Sequence, residues 1–146
     1  MFSLNEIISE LENTNEKLDK IQHLLEKYDD KDWKEYISFS DKTYKKNLIF
    51  RNKNYEIYLI CWNSKQFSYI HNHPERGCIL KVLKGELTEH KYDTNNLELI
   101  ESLNLTVGSI SYIDDSLAYH RVGNESKDTA ISLHIYSPPK FVANIF

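Results

Sequence analysis

The sequence predicts an all-β domain preceded by a short helical cap, and three observations predict it. Up to about residue 38 the apolar side chains recur every three or four positions, whereas from Lys42 onward they alternate with polar ones. The first rhythm is that of a helix face and the second that of a strand face. Finally, the alternating runs are short and are separated at near-regular intervals by turn-forming residues, as in a sandwich or a closed barrel.

The elements follow in order. Ser3-Leu4-Asn5-Glu6 reads as a capping box, after which Leu4, Ile7, Ile8 and Leu11 fall on one helical face. Asn13-Thr14-Asn15 interrupts this pattern and is placed to cap a second helix, in which Leu18, Ile21, Leu24 and Leu25 repeat the stripe. A third short helix is expected over residues 32–37. These stripes are expected to pack on the outside of the β domain, with His23 on the surface. The expected strands are 42–51, 55–62, 67–71, 78–84, 87–92, 97–103, 109–113, 119–122 and 129–136, with the clearest turns at Asn52-Lys53-Asn54 and at residues 93–96.

Composition narrows the function classes. A chain of 146 residues suits one domain with a substantial core. Its many aromatic residues, 4 glycines and 3 prolines argue against disorder. A formal charge of −4 and a pI near 5.9 give no electrostatic reason to expect nucleic acid or an anionic membrane as partner. No apolar run is long enough to span a bilayer, and the start of the sequence lacks the pattern of a secretory signal. Two cysteines, Cys61 and Cys78, make no disulfide framework, so a cytoplasmic protein, taken as a monomer, is expected. Cys61 is read as packing.

The most informative stretch runs from Phe67 to Gly85, FSYIHNHPERGCILKVLKG. In an extended strand, His71 and His73 leave on one face and form half of a metal site, unless they are simply strand-end histidines in solvent. Four residues separate His73 from Cys78, and six more precede Gly85. This spacing resembles the first motif of the cupin superfamily, with Cys78 where a Glu ligand usually stands. His120 and Asn124, after Gly108, resemble the second cupin motif. Three histidines with a Cys at the carboxylate position resemble the cysteine dioxygenase family. Cys61-Trp62 ahead of His71, Tyr119-His120-Arg121-Val122 and Ser132-Leu133-His134-Ile135-Tyr136-Ser137-Pro138-Pro139 strengthen the resemblance, which runs from about Tyr44 to Phe141. It implies one cupin domain over residues 1–146: a cupin-type β-barrel (jelly roll) at 42–141, with the helical segment 1–38 packed on it.

The chemistry can be read from the same residues. Three imidazoles on one face of a metal leave its other positions open, which suits non-haem iron(II) and also zinc. Without a carboxylate ligand the charge of the ion favours anionic partners, and an arriving thiol loses its proton. The resemblance implies Fe(II) bound by His71, His73 and His120, with L-cysteine and O2 as substrates and cysteine sulfinic acid as product. Ser132, His134 and Tyr136 share a strand face, either as mutually satisfied core residues or as part of the site. The sequence alone does not say which three histidines converge. The resemblance gives His120 to the metal and His134 to the polar row, with the Tyr136 hydroxyl donating toward the reacting sulfur and oxygen.

Cys78 has three readings: a small buried side chain, a metal ligand, or, as the resemblance implies, the partner of Tyr136 in a thioether. The family's carboxylate-binding Arg falls at Lys46 in Tyr44-Lys45-Lys46-Asn47-Leu48. Lysine keeps the charge but lacks the planar fork. A related group acting on 3-mercaptopropionate has Gln there. L-cysteine is the expected substrate, and another small thiol carboxylate such as 3-mercaptopropionate is the alternative. Tyr44 is expected beside Lys46, and Arg76 as a second carboxylate contact. His90 is read as an exposed strand residue. Two other classes stay open, a non-catalytic metal-binding cupin and a zinc site doing hydrolytic or isomerase chemistry. For the latter, the nearest base carboxylates, Glu75 and Asp114, are expected to face solvent.

Overall fold

A computed structural model describes residues 1–146. The capping box forms as the sequence predicts. The Ser3 hydroxyl accepts from the Glu6 amide and the Glu6 carboxylate accepts from the Ser3 amide, starting α1 (Leu4–Glu12). The second helix is shorter than its apolar stripe suggests. A 3₁₀ turn over Leu18–Lys20 precedes α2, which holds only His23–Lys27, and neither has a side-chain cap. Five helical residues do not persist on their own. Burial of Leu18, Ile21, Leu24 and Leu25 holds them. The third helix is a 3₁₀ turn, Asp32–Tyr36.

The strands are β1 (Lys45–Arg51), β2 (Glu56–Trp62), β3 (Cys78–Lys84), β4 (Leu87–Tyr92), β5 (Leu99–Leu105), β6 (Ile110–Ile113), β7 (Tyr119–Gly123) and β8 (Ala130–Tyr136). They make two sheets, ordered β1-β2-β8-β3-β6 and β5-β4-β7, and every named pair is antiparallel. The expected jelly-roll pair of sheets is present, although hydrogen bonding does not close them into one ring.

Alternation along the central strands decides where the two cores sit. Ile57, Leu59 and Cys61 of β2, Ile79 of β3, and Ile131, Leu133 and Ile135 of β8 pack against Leu4, Ile7, Leu11 and Leu24 of the helical cap. Lys81 interrupts this apolar face with a purpose. Its ammonium donates to the carbonyls of Leu25 (2.8 Å) and Tyr28 (2.7 Å) at the end of α2, where helix carbonyls lack a full set of backbone donors. On the opposite face, Ile60, Trp62, Leu80, Val82 and Ala130 meet Leu87, Leu105 and Val122 of the smaller sheet. Beside this second core the sheets part around a cavity. Gly85, the last residue of the first motif, turns the chain between β3 and β4 at φ +70°, where a Cβ would lie 2.5 Å from the Thr129 carbonyl.

Three expected strands are altered, each for a local reason. Residues 67–71 form isolated bridges, Phe67 to Gly123 and His71 to His120, and no continuous strand. Between them the Val122 amide donates to the Ser68 hydroxyl and Arg121 Nε takes the Ser68 carbonyl, so the ladder is interrupted. β5 starts at Leu99 because Leu97, at φ +58°, belongs to the turn in which its amide donates to the Asp93 carbonyl. β1 starts at Lys45, after a bend over residues 41–43.

Candidate metal centre

His71, His73 and His120 converge although two of them lie outside regular strands. β7 carries His120, and the backbone of His71 pairs with it in both directions (3.0 and 3.3 Å). One ring nitrogen from each histidine lies within 4.8 Å of the other two. Each Nδ1 is held by an oxygen: the Tyr69 carbonyl for His71 (2.7 Å), Asp115 for His73 (3.0 Å) and Glu89 for His120 (2.7 Å). A carbonyl and carboxylates only accept, so each Nδ1 donates and each neutral ring turns a bare Nε2 inward.

A cation between those nitrogens would satisfy all three at once. His71 Nε2 and His120 Nε2 stand 3.1 Å apart, and the buried His73 Nε2 has no partner in the protein. Burial, then the charge of His120, pushes His71 down to about 4, and the same causes push His73 lower still. His71 and His73 are therefore neutral ligands at ordinary pH. Burial pushes the Glu89 carboxyl up, but its bonds to His120 and Ser111 (2.6 Å) outweigh this and leave it below its usual range. Three imidazoles oriented by outer oxygens are a donor set that fits a divalent metal.

The cluster borders a cavity of about 180 Å³, smaller than the ~300–1,000 Å³ usual for drug-sized ligands and suited to a small molecule. His71 and His120 reach it, together with Tyr44, Lys46, Tyr58, Trp62, His134 and Tyr136. Lys46 is exposed along its stem, but its ammonium lies 4.5 Å from the Tyr58 ring centroid and 4.7 Å from that of Tyr136. Burial of the ammonium lowers its pKa. No hydrogen bond or ion pair within the protein occupies it. Tyr44 stacks on Trp62 (4.7 Å).

Across the cavity runs a directed row. Trp62 Nε1 donates to Ser132 Oγ (3.0 Å), which is 2.7 Å from His134 Nε2, and His134 Nδ1 is 3.3 Å from the Tyr136 hydroxyl. Burial, then the Lys46 charge, holds His134 well below its ordinary pKa, so its ring carries one proton. The indole N–H can only donate, and the fully buried Ser132 has no other acceptor for its own proton. Ser132 therefore donates to Nε2, Nδ1–H donates to the tyrosine oxygen, and the Tyr136 proton is left free on the side of the cavity and of Cys78. Both ring nitrogens of His134 are engaged in this row. Cys78 is buried and sits directly opposite Tyr136 in the β3–β8 register. Burial pushes its thiol up to about 12.

The remaining expected residues lie elsewhere. Arg76 does not line the cavity. Its guanidinium donates to the Asn15 carbonyl and its amide to Ser137 (2.9 Å), tying the helical cap to the loop after His73. Asp114, expected in solvent, is buried and bonded to Tyr112 (2.6 Å), Ser116 and Lys17 (2.9 Å), whereas Glu75 is exposed. His90 is only half-exposed and bonds Ser102 (2.9 Å).

Comparison with known proteins decides the family. Residues 2–146 match the model of the family described as cysteine dioxygenase type I. The chain belongs to that family. It is 32% identical over 132 residues to cysteine dioxygenase type 1 of Danio rerio, and 34% identical over 131 residues to that of Rattus norvegicus. Each match covers 84% of this chain and 66% of the relative's length. Among solved structures, a double-stranded β-helix protein of Klebsiella pneumoniae superposes with a TM-score of 0.65 at 17% identity, covering 77% of this chain and 86% of the other. A Thermus thermophilus protein gives 0.64 at 22% identity, with 76% and 98% covered. These two likenesses speak to the fold, which is of the cupin type.

Several site residues carry no motif in the sequence. Glu89, Asp115 and Tyr58 read there as strand or turn residues. For Glu89 a signal existed: period two puts it on the same face as the core residue Leu87, and an inward carboxylate needs a partner.

Proposed function

We propose that this protein is a non-haem iron(II) thiol dioxygenase that oxidises L-cysteine with O2 to cysteine sulfinic acid. The reaction balances without any further reductant, since one thiol and one O2 give one sulfinic acid. The observation that carries the reading is the unpartnered Lys46 ammonium facing the same small cavity as the three-histidine cluster and the Tyr136 hydroxyl. Metal storage or sensing needs neither Lys46 nor the Tyr136 hydroxyl. Iron(II) held by His71, His73 and His120 supplies, when bound, the activation of O2 and the deprotonation of the thiol.

The chain's own residues do the rest. Lys46 holds the substrate carboxylate, and Tyr44, stacked on Trp62, walls that side of the cavity. The Trp62–Ser132–His134 row keeps the Tyr136 proton aimed inward, so that it donates to negative charge developing on sulfur and oxygen. Ile60 and Val122 exclude water around the reacting atoms. Cys78 beside Tyr136 is placed to form a thioether during turnover, which would fix the ring. One chain lines the whole cavity, so a monomer suffices, and two unpaired cysteines suit the cytoplasm.

The test is oxygen uptake by iron(II)-loaded protein with L-cysteine, 3-mercaptopropionate or cysteamine, alongside the zinc-loaded form. L-cysteine should consume one O2 per thiol and give the sulfinate by mass spectrometry, with iron only. Absence of any thiol-dependent uptake would sink the reading, and preference for 3-mercaptopropionate would move it to that substrate.

A further inference from the structure

We infer that residues 140–146 form a strap that positions His71 for the metal, with Phe146 as its anchor. This rests on the three-histidine cluster being a metal centre, though not on the identity of the substrate.

The three ligands are not held alike. His73 and His120 are buried, and each is fixed by a carboxylate from another part of the fold, Asp115 or Glu89. His71 is half-exposed, and its Nδ1 partner is the carbonyl of Tyr69 in its own segment. Its ring is therefore only as well placed as the backbone of residues 69–72, which is not a regular strand. On one side that backbone pairs with His120. On the other it pairs with the strap, where His71 bridges Ile145. The Phe146 amide donates to the Ile70 carbonyl (2.9 Å), the Asn72 amide to Asn144 (3.3 Å), and the Asn144 amide to the Asn72 side-chain oxygen (2.8 Å). His71 thus lies in the middle of a small three-stranded patch whose outer strand is the strap.

Both ends of the strap are tied to elements of the site. The Lys140 amide donates to the buried Glu56 carboxylate (2.9 and 3.3 Å) on β2, the strand that also carries Tyr58 and Trp62. The Phe146 ring stacks on Tyr119, the neighbour of His120, at 4.5 Å and 14°. Between these ends Phe141, Ala143 and Ile145 line the cavity at alternate positions, while Val142 is 87% exposed. Little of the strap is buried, so its place depends on these few ties. An outer residue that orients a ligand typically changes metal affinity ~10–100-fold.

The test is metal affinity of the full chain, by anaerobic equilibrium dialysis with Fe(II) and by Co(II) absorption spectra, which report ligand geometry without turnover. Phe146→Ala should weaken binding roughly tenfold or more and alter the Co(II) spectrum. Phe146→Trp, which keeps the stack, should restore both, and Asn72→Ala, which removes one tie only, should show a smaller loss. Val142→Ala should match the parent. If the parent binds metal and both Phe146→Ala and Asn72→Ala bind it equally well with the parent spectrum, the strap does not position His71 and the inference falls alone. A parent chain that binds no metal would overturn the metal-centre reading and this inference together.

Discussion

Replacing Lys46 by Gln removes a cation that lines the cavity with no hydrogen-bond or ion-pair partner in the protein, and it does so without opening a large space. The ammonium already rests on the Tyr58 and Tyr136 rings at 4.5 and 4.7 Å, so it is held before any substrate arrives. Two unit charges ~4 Å apart attract by ~4 kcal/mol at an effective dielectric of ~20. Stripping water from the carboxylate offsets part of that, leaving the ~1.5–3 kcal/mol usual for a hydrogen bond to a charged group. This corresponds to roughly ten- to a hundredfold in kcat/KM for L-cysteine. Cysteamine, which has no carboxylate, should be affected little, so the ratio of the two kcat/KM values by oxygen uptake is the measurement. Lys46→Arg should keep or raise the L-cysteine value. Lys45→Gln is the control, because Lys45 lies outside the cavity and bonds Ser38 (2.7 Å). An unchanged L-cysteine to cysteamine ratio in Lys46→Gln would refute the assignment.

Three further outcomes are expected. Alanine at His71, His73 or His120 should strip most iron from the purified protein, whereas His134→Ala should retain it while losing activity; full iron occupancy in His120→Ala would overturn the ligand set. Glu89→Gln, which replaces the 2.7 Å acceptor of His120, should weaken iron affinity by ~10–100-fold, read by dialysis, and equal affinity would leave Glu89 a purely structural role. Turnover with iron, O2 and L-cysteine should join Cys78 to Tyr136, seen as a peptide pair lighter by two hydrogens. Cys78→Ser should never show it, and a link from Cys61 instead would contradict the β3–β8 geometry.

The sequence was most legible where backbone period alone fixes direction. Alternation in β2 and β8 separates the cap-facing residues Ile57, Leu59, Ile131, Leu133 and Ile135 from the inward Tyr58, Ile60, Trp62, Ser132, His134 and Tyr136. It likewise puts Tyr44 and Lys46 on one side. What period could not give is contact between elements far apart in sequence. Asp115 reaches His73 across 42 residues and Glu89 reaches His120 across 31, and neither is implied by local spacing. Arg76 failed for a related reason: a charged loop residue near a ligand reads as a substrate contact until its partner, the Asn15 carbonyl, is seen. The break in the 67–71 strand depends on Ser68 supplying a hydroxyl to Val122, a side-chain substitution for a backbone bond that no propensity predicts.

The position of β8 at the centre of its sheet also bears on how such a chain can change over generations. Its odd and even positions answer to separate demands, packing against the cap on one face and chemistry on the other. Point substitutions on the cap side, Ile131, Leu133 or Ile135, can therefore be explored without touching the reaction, and the reverse holds for Ser132, His134 and Tyr136. A single inserted or deleted residue has no such freedom. It would exchange the two sets, driving a serine, an imidazole and a phenol into the cap at ~1–3 kcal/mol for each group left unpaired, while turning isoleucines and a leucine toward the cavity. Lineages of this fold should accordingly vary by replacement within β8 and by length only in the turns that flank it.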